Sequence, residues 1–103
     1  MSSPTQRALE LLRKRGYTAG VVERWKPHAR IRQDLFGCID VVAVGNGETV
    51  GVQACAYSGV SSRVKKIAAA EAISDIRKAG WRVVVWGWRK VKGRWTVREV
   101  DVS

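Results

Sequence analysis

A chain of 103 residues suffices for one domain, expected to span 1–103, with a core that needs neither disulfides nor metal, and leaves no room within it for a second. A hydrophobic share of 46% with five tryptophans excludes a disordered chain and leaves only the two ends to fray. Nineteen Lys and Arg against nine Asp and Glu give a net charge of +10, a positive field that attracts polyanions and makes nucleic acid the expected partner.

No apolar run approaches the roughly 20 residues of a membrane span. The opening segment MSSPTQRALELLRKRG lacks the apolar block of a signal peptide, so no membrane partner is expected and the chain is expected in the cytoplasm. Cys38 and Cys55 lie in apolar stretches and are expected reduced and buried. With His28 the lone histidine, neither a Cys/His metal cluster nor a Cys-His nucleophile has support.

In chain order, Ser3-Pro4 reads as a helix N-cap followed by proline at the first helical position, and Gly16 as the stop. A first helix is expected over about residues 4–15. Its apolar face is Ala8, Leu9, Leu11 and Leu12, and Glu10 falls almost opposite, on the solvated side. Tyr17 to Trp25 reads as one strand, with Val21, Glu23 and Trp25 on a common face and Pro27 limiting its extent. A basic connector carrying Lys26, His28, Arg30 and Arg32 follows.

Two β-rich runs come next, Leu35 to Val44 and Thr49 to Ala56, on either side of Gly45-Asn46-Gly47-Glu48. Asn-Gly is the strongest short hairpin signal, because a type I′ turn needs positive φ at both central residues. With Asn46 and Gly47 as the turn, counting outward sets Asp40 opposite Gln53 and Cys38 opposite Cys55 on the same side. Both are non-hydrogen-bonded pairs with Cα atoms about 4.5 Å apart, so Asp40 and Gln53 are placed to share a ligand.

After the Ser/Gly corner Ser58 to Ser62, an Ala-rich helix is expected over about 62–79, ending near Gly80, with Ala69, Ala72, Ile73 and Ile76 buried. Toward its start that face becomes Ser62, Lys65 and Lys66, an end suited to phosphate; lysines snorkelling over a helix start are the plain alternative. Trp81 to Trp88 and Arg94 to Val102 read as two further strands joined by Arg89 to Gly93, a cationic tip for a nucleic-acid backbone. Trp86 and Trp88 share one strand face; indoles can stack on bases, but in a small domain they more often fill the core.

A helix, a strand, an Asp-bearing strand, a strand carrying Gln53-Ala54-Cys55, then a helix and a strand: this order resembles the PD-(D/E)xK nuclease superfamily over nearly the whole chain, in particular its small Holliday-junction-resolvase-like and phage members. The resemblance implies an α/β restriction-endonuclease-like core in the order α-β-β-β-α-β-β, a mixed sheet flanked by two helices. It implies that Asp40, Gln53 and the main-chain carbonyl of Ala54 bind Mg²⁺ or Mn²⁺, and that a lysine near the phosphate helps to activate water. Cys55 falls where that lysine is expected, which leaves Lys66 or Lys65 on the next helix as its replacement, with Arg63 behind them.

A further carboxylate is implied, and Glu23 suits it better than the outward Glu10; an ion pair with a nearby arginine is the plainer reading of Glu23. Asp34 reads as a turn former, although Arg32 to Gly37 also resembles the lead-in to the family's aspartate. Arg30, Arg32, Arg63, Arg89, Lys90 and Lys92 are the expected nucleic-acid contacts.

The leading expectation is a Mg²⁺-dependent endonuclease cleaving DNA, branched or Holliday-junction structures included, in a prokaryotic or phage-infected cell. A homodimer would suit a two-fold junction. The alternative is a catalytically degenerate nuclease fold acting as a DNA- or RNA-binding module, because Gln53 and Cys55 replace the usual charged pair. A third reading docks the basic face on an acidic protein.

Overall fold

The computed structural model describes residues 3–103; Met1 and Ser2, at one of the ends expected to fray, lie outside the described residues. Helix α1, Pro4–Lys14, starts as its sequence dictates, with Ser3 Oγ accepting from the Gln6 N–H at 3.2 Å and proline in the first turn. It ends in a Schellman arrangement. Gly16 takes a φ of 93°, its N–H reaches the Arg13 carbonyl at 3.1 Å, and the Tyr17 N–H reaches the Leu12 carbonyl at 3.0 Å. Ala8, Leu9 and Leu12 are buried, Leu11 packs against them, and Glu10 is exposed.

The single strand expected over Tyr17 to Trp25 is two separate elements. Strand β1, Thr18–Val21, forms an edge of the main sheet beside β4, Val41–Gly45. The chain then leaves the sheet at Val22 and Glu23 and builds a two-stranded antiparallel ribbon of β2, Arg24–Lys26, and β3, Ile31–Gln33. Pro27 sits in the ribbon's turn, and Arg30 closes it with a φ of 52°. Every strand residue of the ribbon is exposed, so neither face has a core to join. The expected basic connector is therefore mostly ribbon.

Leu35 to Asp40, expected as the start of a strand, forms a tight loop instead. Leu35 and Ile39 exchange backbone hydrogen bonds of 2.7 and 3.1 Å around Phe36 and Gly37, whose φ values are 54° and 75°. The hairpin that follows, β4 with β5 (Glu48–Ala56), has the expected turn, with φ of 52° at Asn46 and 76° at Gly47. Its register is also as expected from Gly45↔Glu48 to Val41↔Val52. One residue further the ladder breaks. The Asp40 N–H donates to the Val52 carbonyl at 3.1 Å, so Asp40 and Val41 both oppose Val52, a β-bulge that re-aims Asp40.

A single-turn 3₁₀ segment, Tyr57–Gly59, leads into α2, Val60–Ala69, and then α3, Ile73–Lys78. One continuous helix was the expectation; Ala70, extended at ψ 132°, interrupts it. On an unbroken helix Ile73 and Ile76 would lie about 240° and 180° around the axis from Ile67. The break lets all three join one buried cluster with Val60, whereas Ala69 is exposed and Ala72 only partly buried.

Strand β6, Arg82–Val91, turns through Lys92 and Gly93, with φ of 50° and 77°, into β7, Arg94–Asp101. Arg89 and Lys90 thus stand on the strand rather than in the turn. The last residues are tied back to β6: the Val102 N–H bonds the Val83 carbonyl at 2.9 Å, and Ser103 Oγ accepts from the Val83 N–H at 2.9 Å.

The main sheet runs β1-β4-β5-β6-β7, with β5 and β6 parallel across the α2–α3 crossover and the other pairs antiparallel. It is a mixed sheet in a single α/β domain. On one face α1 packs against Val41, Val52, Ala54, Val84, Trp86 and Trp88. On the other, α2 and α3 cover Ile39, Cys55, Val83 and Val85. Trp86 and Trp88 meet edge to face at 6.3 Å, a core pair worth about 0.5–1.5 kcal/mol beyond burial.

At the start of β6, Arg82 gathers Glu99 at 2.9 Å, Asp101 at 3.3 Å and Glu48 at 3.8 Å. Acids are thereby collected at the end of the sheet away from the C-terminal ends of β5 and β6. Among the described residues no helix is long and apolar enough to cross a membrane.

Candidate functional site

The bulge at Asp40 shapes the site. A paired strand residue turns its N–H and C=O to the same edge. Val52 faces β4 with its backbone, so Ala54, two residues on, faces the same way past the end of β4. Asp40 occupies that gap, both carboxylate oxygens accepting from the Ala54 N–H at 3.2 Å. The Val22 N–H holds the Asp40 carbonyl at 2.9 Å and so brings Glu23 alongside. Asp34 arrives from the other root of the ribbon. Glu23, Asp34 and Asp40 place ligand atoms within 4.8 Å of one another. They line a cavity of about 260 Å³ with Arg32, Ala54 and Arg63.

Asp40 is 4% exposed, and its pKa is pushed up from 3.8 to about 7. Burial is the main cause, the Ala54 N–H pulls against it, the charges of Asp34 and Glu23 add to it, and Arg63 opposes them. The other two carboxylates have cations of their own: Lys66 Nζ bonds Asp34 Oδ2, and Arg32 Nη1 lies 3.2 Å from Glu23 Oε1. The arginine pair foreseen for Glu23 and its place beside Asp40 therefore coexist.

Carboxylate oxygens and the Ala54 carbonyl are hard donors of the kind that Mg²⁺ and Mn²⁺ take. Asp40, kept partly protonated at neutral pH chiefly by its burial, with its acidic neighbours adding to the effect, is the group that a dication in the cluster would ionise. The donor set fits such an ion.

Gln53 is placed differently from the sequence-based expectation. Its fully buried side chain points toward α2 and is occupied at both ends. Nε2 donates to the Cys38 carbonyl at 3.0 Å and to Asp34 Oδ2 at 3.2 Å. Oε1 accepts from Arg63 Nη1 at 2.8 Å and from Lys66 Nζ at 3.5 Å. The amide nitrogen meets acceptors and the oxygen meets donors, so the neighbours determine its orientation. An oxygen facing two cations is poorly placed to ligate a third. Gln53 instead acts as a strut that holds Asp34, Arg63 and Lys66 relative to one another, and Asp40 and Gln53 do not form the expected joint ligand because the bulge has turned Asp40 to Ala54.

Of the two lysine candidates, Lys66 reaches the cluster, while Lys65 is exposed and joins none of these bonds. Cys55 is buried, which pushes its thiol pKa up and leaves it neutral. Cys38 and Cys55 are free and share one apolar cluster, but Cys38 sits in a loop and the two are not a strand pair. Arg30 lies in the ribbon turn, exposed. Arg89 stands over the Tyr57 ring at 4.4 Å and Lys90 over Trp95 at 5.5 Å, on the β6–β7 hairpin whose turn contains Lys92.

Asp34 is the site residue that sequence reasoning set aside as a turn former. It is both: its carbonyl accepts from the Gly37 N–H at 3.1 Å while its carboxylate joins the cluster. The usable signal was the acid-free basic stretch between Glu23 and Asp34, which reads as a hairpin returning the second acid to the first. Comparison with protein-family models, with curated proteins and with solved structures finds no match for the chain.

Proposed function

We propose that the chain is a metal-dependent endonuclease acting on DNA, built on a restriction-endonuclease-like core. The observation that carries this reading is the convergence of Glu23, Asp34 and Asp40 within 4.8 Å beside Arg63 and Lys66, in a protein of charge +10. The sheet supports it: β1, β4 and β5 are antiparallel neighbours, and a helical crossover leads to β6 parallel to β5. With the ribbon as an addition and the crossover helix in two pieces, this sheet is compatible with the α-β-β-β-α-β-β order that the resemblance implies.

In this reading Glu23, Asp34, Asp40 and the Ala54 carbonyl would hold Mg²⁺ or Mn²⁺. When bound, such an ion supplies a Lewis acid for a phosphoryl oxygen and lowers the pKa of water. Lys66 takes the place that Cys55 leaves empty, its ammonium held toward the cluster by Asp34 and Gln53. Arg63 and Arg32 draw a phosphodiester into the cavity.

The test is cleavage of supercoiled plasmid and of four-way junction DNA with Mg²⁺, with Mn²⁺ and with EDTA, for wild type and Asp40→Ala. Metal-dependent cleavage that Asp40→Ala abolishes supports the reading; cleavage surviving in Asp40→Ala sinks it. A second reading, a non-catalytic DNA- or RNA-binding module, is favoured by the cations already paired with Asp34 and Glu23, which balance those charges without metal. Salt-sensitive binding without cleavage, unchanged in EDTA and in Asp40→Ala, would select it.

A further inference from the structure

The ribbon of β2 and β3 joins neither apolar cluster of the protein. Between Glu23 and Asp34 its sequence is Arg-Trp-Lys-Pro-His-Ala-Arg-Ile-Arg-Gln, with four Lys and Arg, one histidine and no acid. Trp25 is 58% exposed and Ile31 53%. An indole left in water among cations is the composition of a surface that takes an aromatic and anionic partner.

The register gives the ribbon two distinct faces. Trp25 is the cross-strand partner of Arg32, so the two side chains share a face. Arg32 lines the carboxylate cavity and pairs with Glu23, so Trp25 stands on the cavity's side of the ribbon. Arg24 and Lys26 occupy the opposite face with Gln33 and Ile31, and Arg30 sits at the tip. The two roots of the ribbon are Glu23 and Asp34, two of the three clustered carboxylates.

We propose that this ribbon is the arm by which the protein grips DNA at the candidate site, an inference that rests on the nucleic-acid reading above. Arg24, Lys26 and Arg30 neutralise phosphates, and Trp25 lies against a nucleotide beside the carboxylate cavity. A two-stranded ribbon is of a size to enter the major groove of B-DNA, about 12 Å wide. Because the arm grows from Glu23 and Asp34, DNA held by it is delivered to the carboxylates without a separate docking surface.

The experiment is fluorescence anisotropy of a labelled DNA duplex with the full-length protein over a salt series, in EDTA so that neither cleavage nor metal enters. Circular dichroism checks that each variant is folded. Arg24→Ser with Lys26→Ser is expected to lower the log–log salt slope by about 2 and the affinity about 30-fold near physiological salt. Trp25→Ala is expected to weaken binding about 5- to 150-fold with the slope unchanged. Lys14→Ser with Lys78→Ser, an equal loss of charge elsewhere, is expected to leave the slope unchanged.

If folded arm variants bind like wild type, or if the Lys14/Lys78 pair lowers the slope as much as the arm pair does, the arm assignment is overturned. A loss on charge removal with no effect of Trp25→Ala also overturns it, in favour of a general polyanion surface that an acidic protein would equally satisfy. If wild type itself binds no DNA, the nucleic-acid reading falls, and that outcome is distinct from a failure of the arm alone.

Discussion

Replacing Asp40 by Asn should make the protein more stable at neutral pH, and the pH dependence of that gain tests the electrostatics of the site. Asn keeps an oxygen to accept from the Ala54 N–H but carries no charge. In wild type the Asp40 pKa rises from 3.8 unfolded to about 7 folded. Between those values the native protein holds a proton that the unfolded chain has released, so native binds more protons and stability falls as pH rises. At 1.36 kcal/mol for each pH unit between 3.8 and about 7, the loss amounts to roughly 4 kcal/mol once Asp40 is fully ionised.

Urea denaturation of both proteins from pH 4 to pH 8 in EDTA, expressed as the difference in unfolding free energy, isolates this contribution, because the two proteins differ only at residue 40. The difference is expected near zero at about pH 4 and to grow in favour of Asp40→Asn up to roughly 4 kcal/mol by about pH 8. In a domain of this size that corresponds to a midpoint difference on the order of 20 °C at the upper end. Mn²⁺ in the cluster would favour the ionised carboxylate and flatten the wild-type decline. A difference curve that stays flat across this range would refute the burial and the acidic neighbourhood assigned to Asp40.

Gln53→Leu removes the strut and leaves Asp34, the Cys38 carbonyl, Arg63 and Lys66 each short of a partner; urea denaturation should show a loss of about 3–5 kcal/mol, and a loss under 1 kcal/mol would contradict the network. Gly87→Ala would set a Cβ 2.3 Å from Val60 Cγ2 and 3.2 Å from the Tyr57 backbone, whereas at Gly51 the closest atoms all belong to the Ile39 side chain, the nearest, at 2.6 Å, being its terminal Cδ1, and none of them is backbone. Thermal melts should therefore show Gly87→Ala costing about 1–3 kcal/mol, and Gly51→Ala less. If the chain cleaves DNA, Lys66→Met should lower the single-turnover rate about 100-fold while Lys65→Met leaves it near wild type; equal effects would remove the distinction drawn between them.

Local chemistry settled much of the fold in advance. Ser3-Pro4 and Gly16 bound the first helix because capping and positive φ are decided within a few residues. Asn46-Gly47 set the hairpin register because a two-residue turn leaves no freedom in the pairing that follows. The charge of +10 was legible from composition, and the family resemblance, not composition, put Asp40 and Glu23 forward as members of one site. The broken second helix was less so: an Ala-rich run favours helix throughout, and only the sheet beneath required Ile67, Ile73 and Ile76 to face the same way.

Tertiary structure alone decided the roles within the site. The pairing rule placed Asp40 opposite Gln53, but a bulge at the far end of β4, set by the Leu35–Ile39 loop and by the Val22 bond to the Asp40 carbonyl, turned the carboxylate to Ala54. Gln53 was then free to be claimed by Arg63 and Lys66, which reach it only because α2 crosses that end of the sheet. Asp34 and Glu23 are brought together by a ribbon whose folding back joins residues that sequence spacing holds apart. Helix caps and two-residue turns are short-range and can be read along the chain; a cluster of carboxylates is a property of three segments meeting, and no one of them encodes it alone.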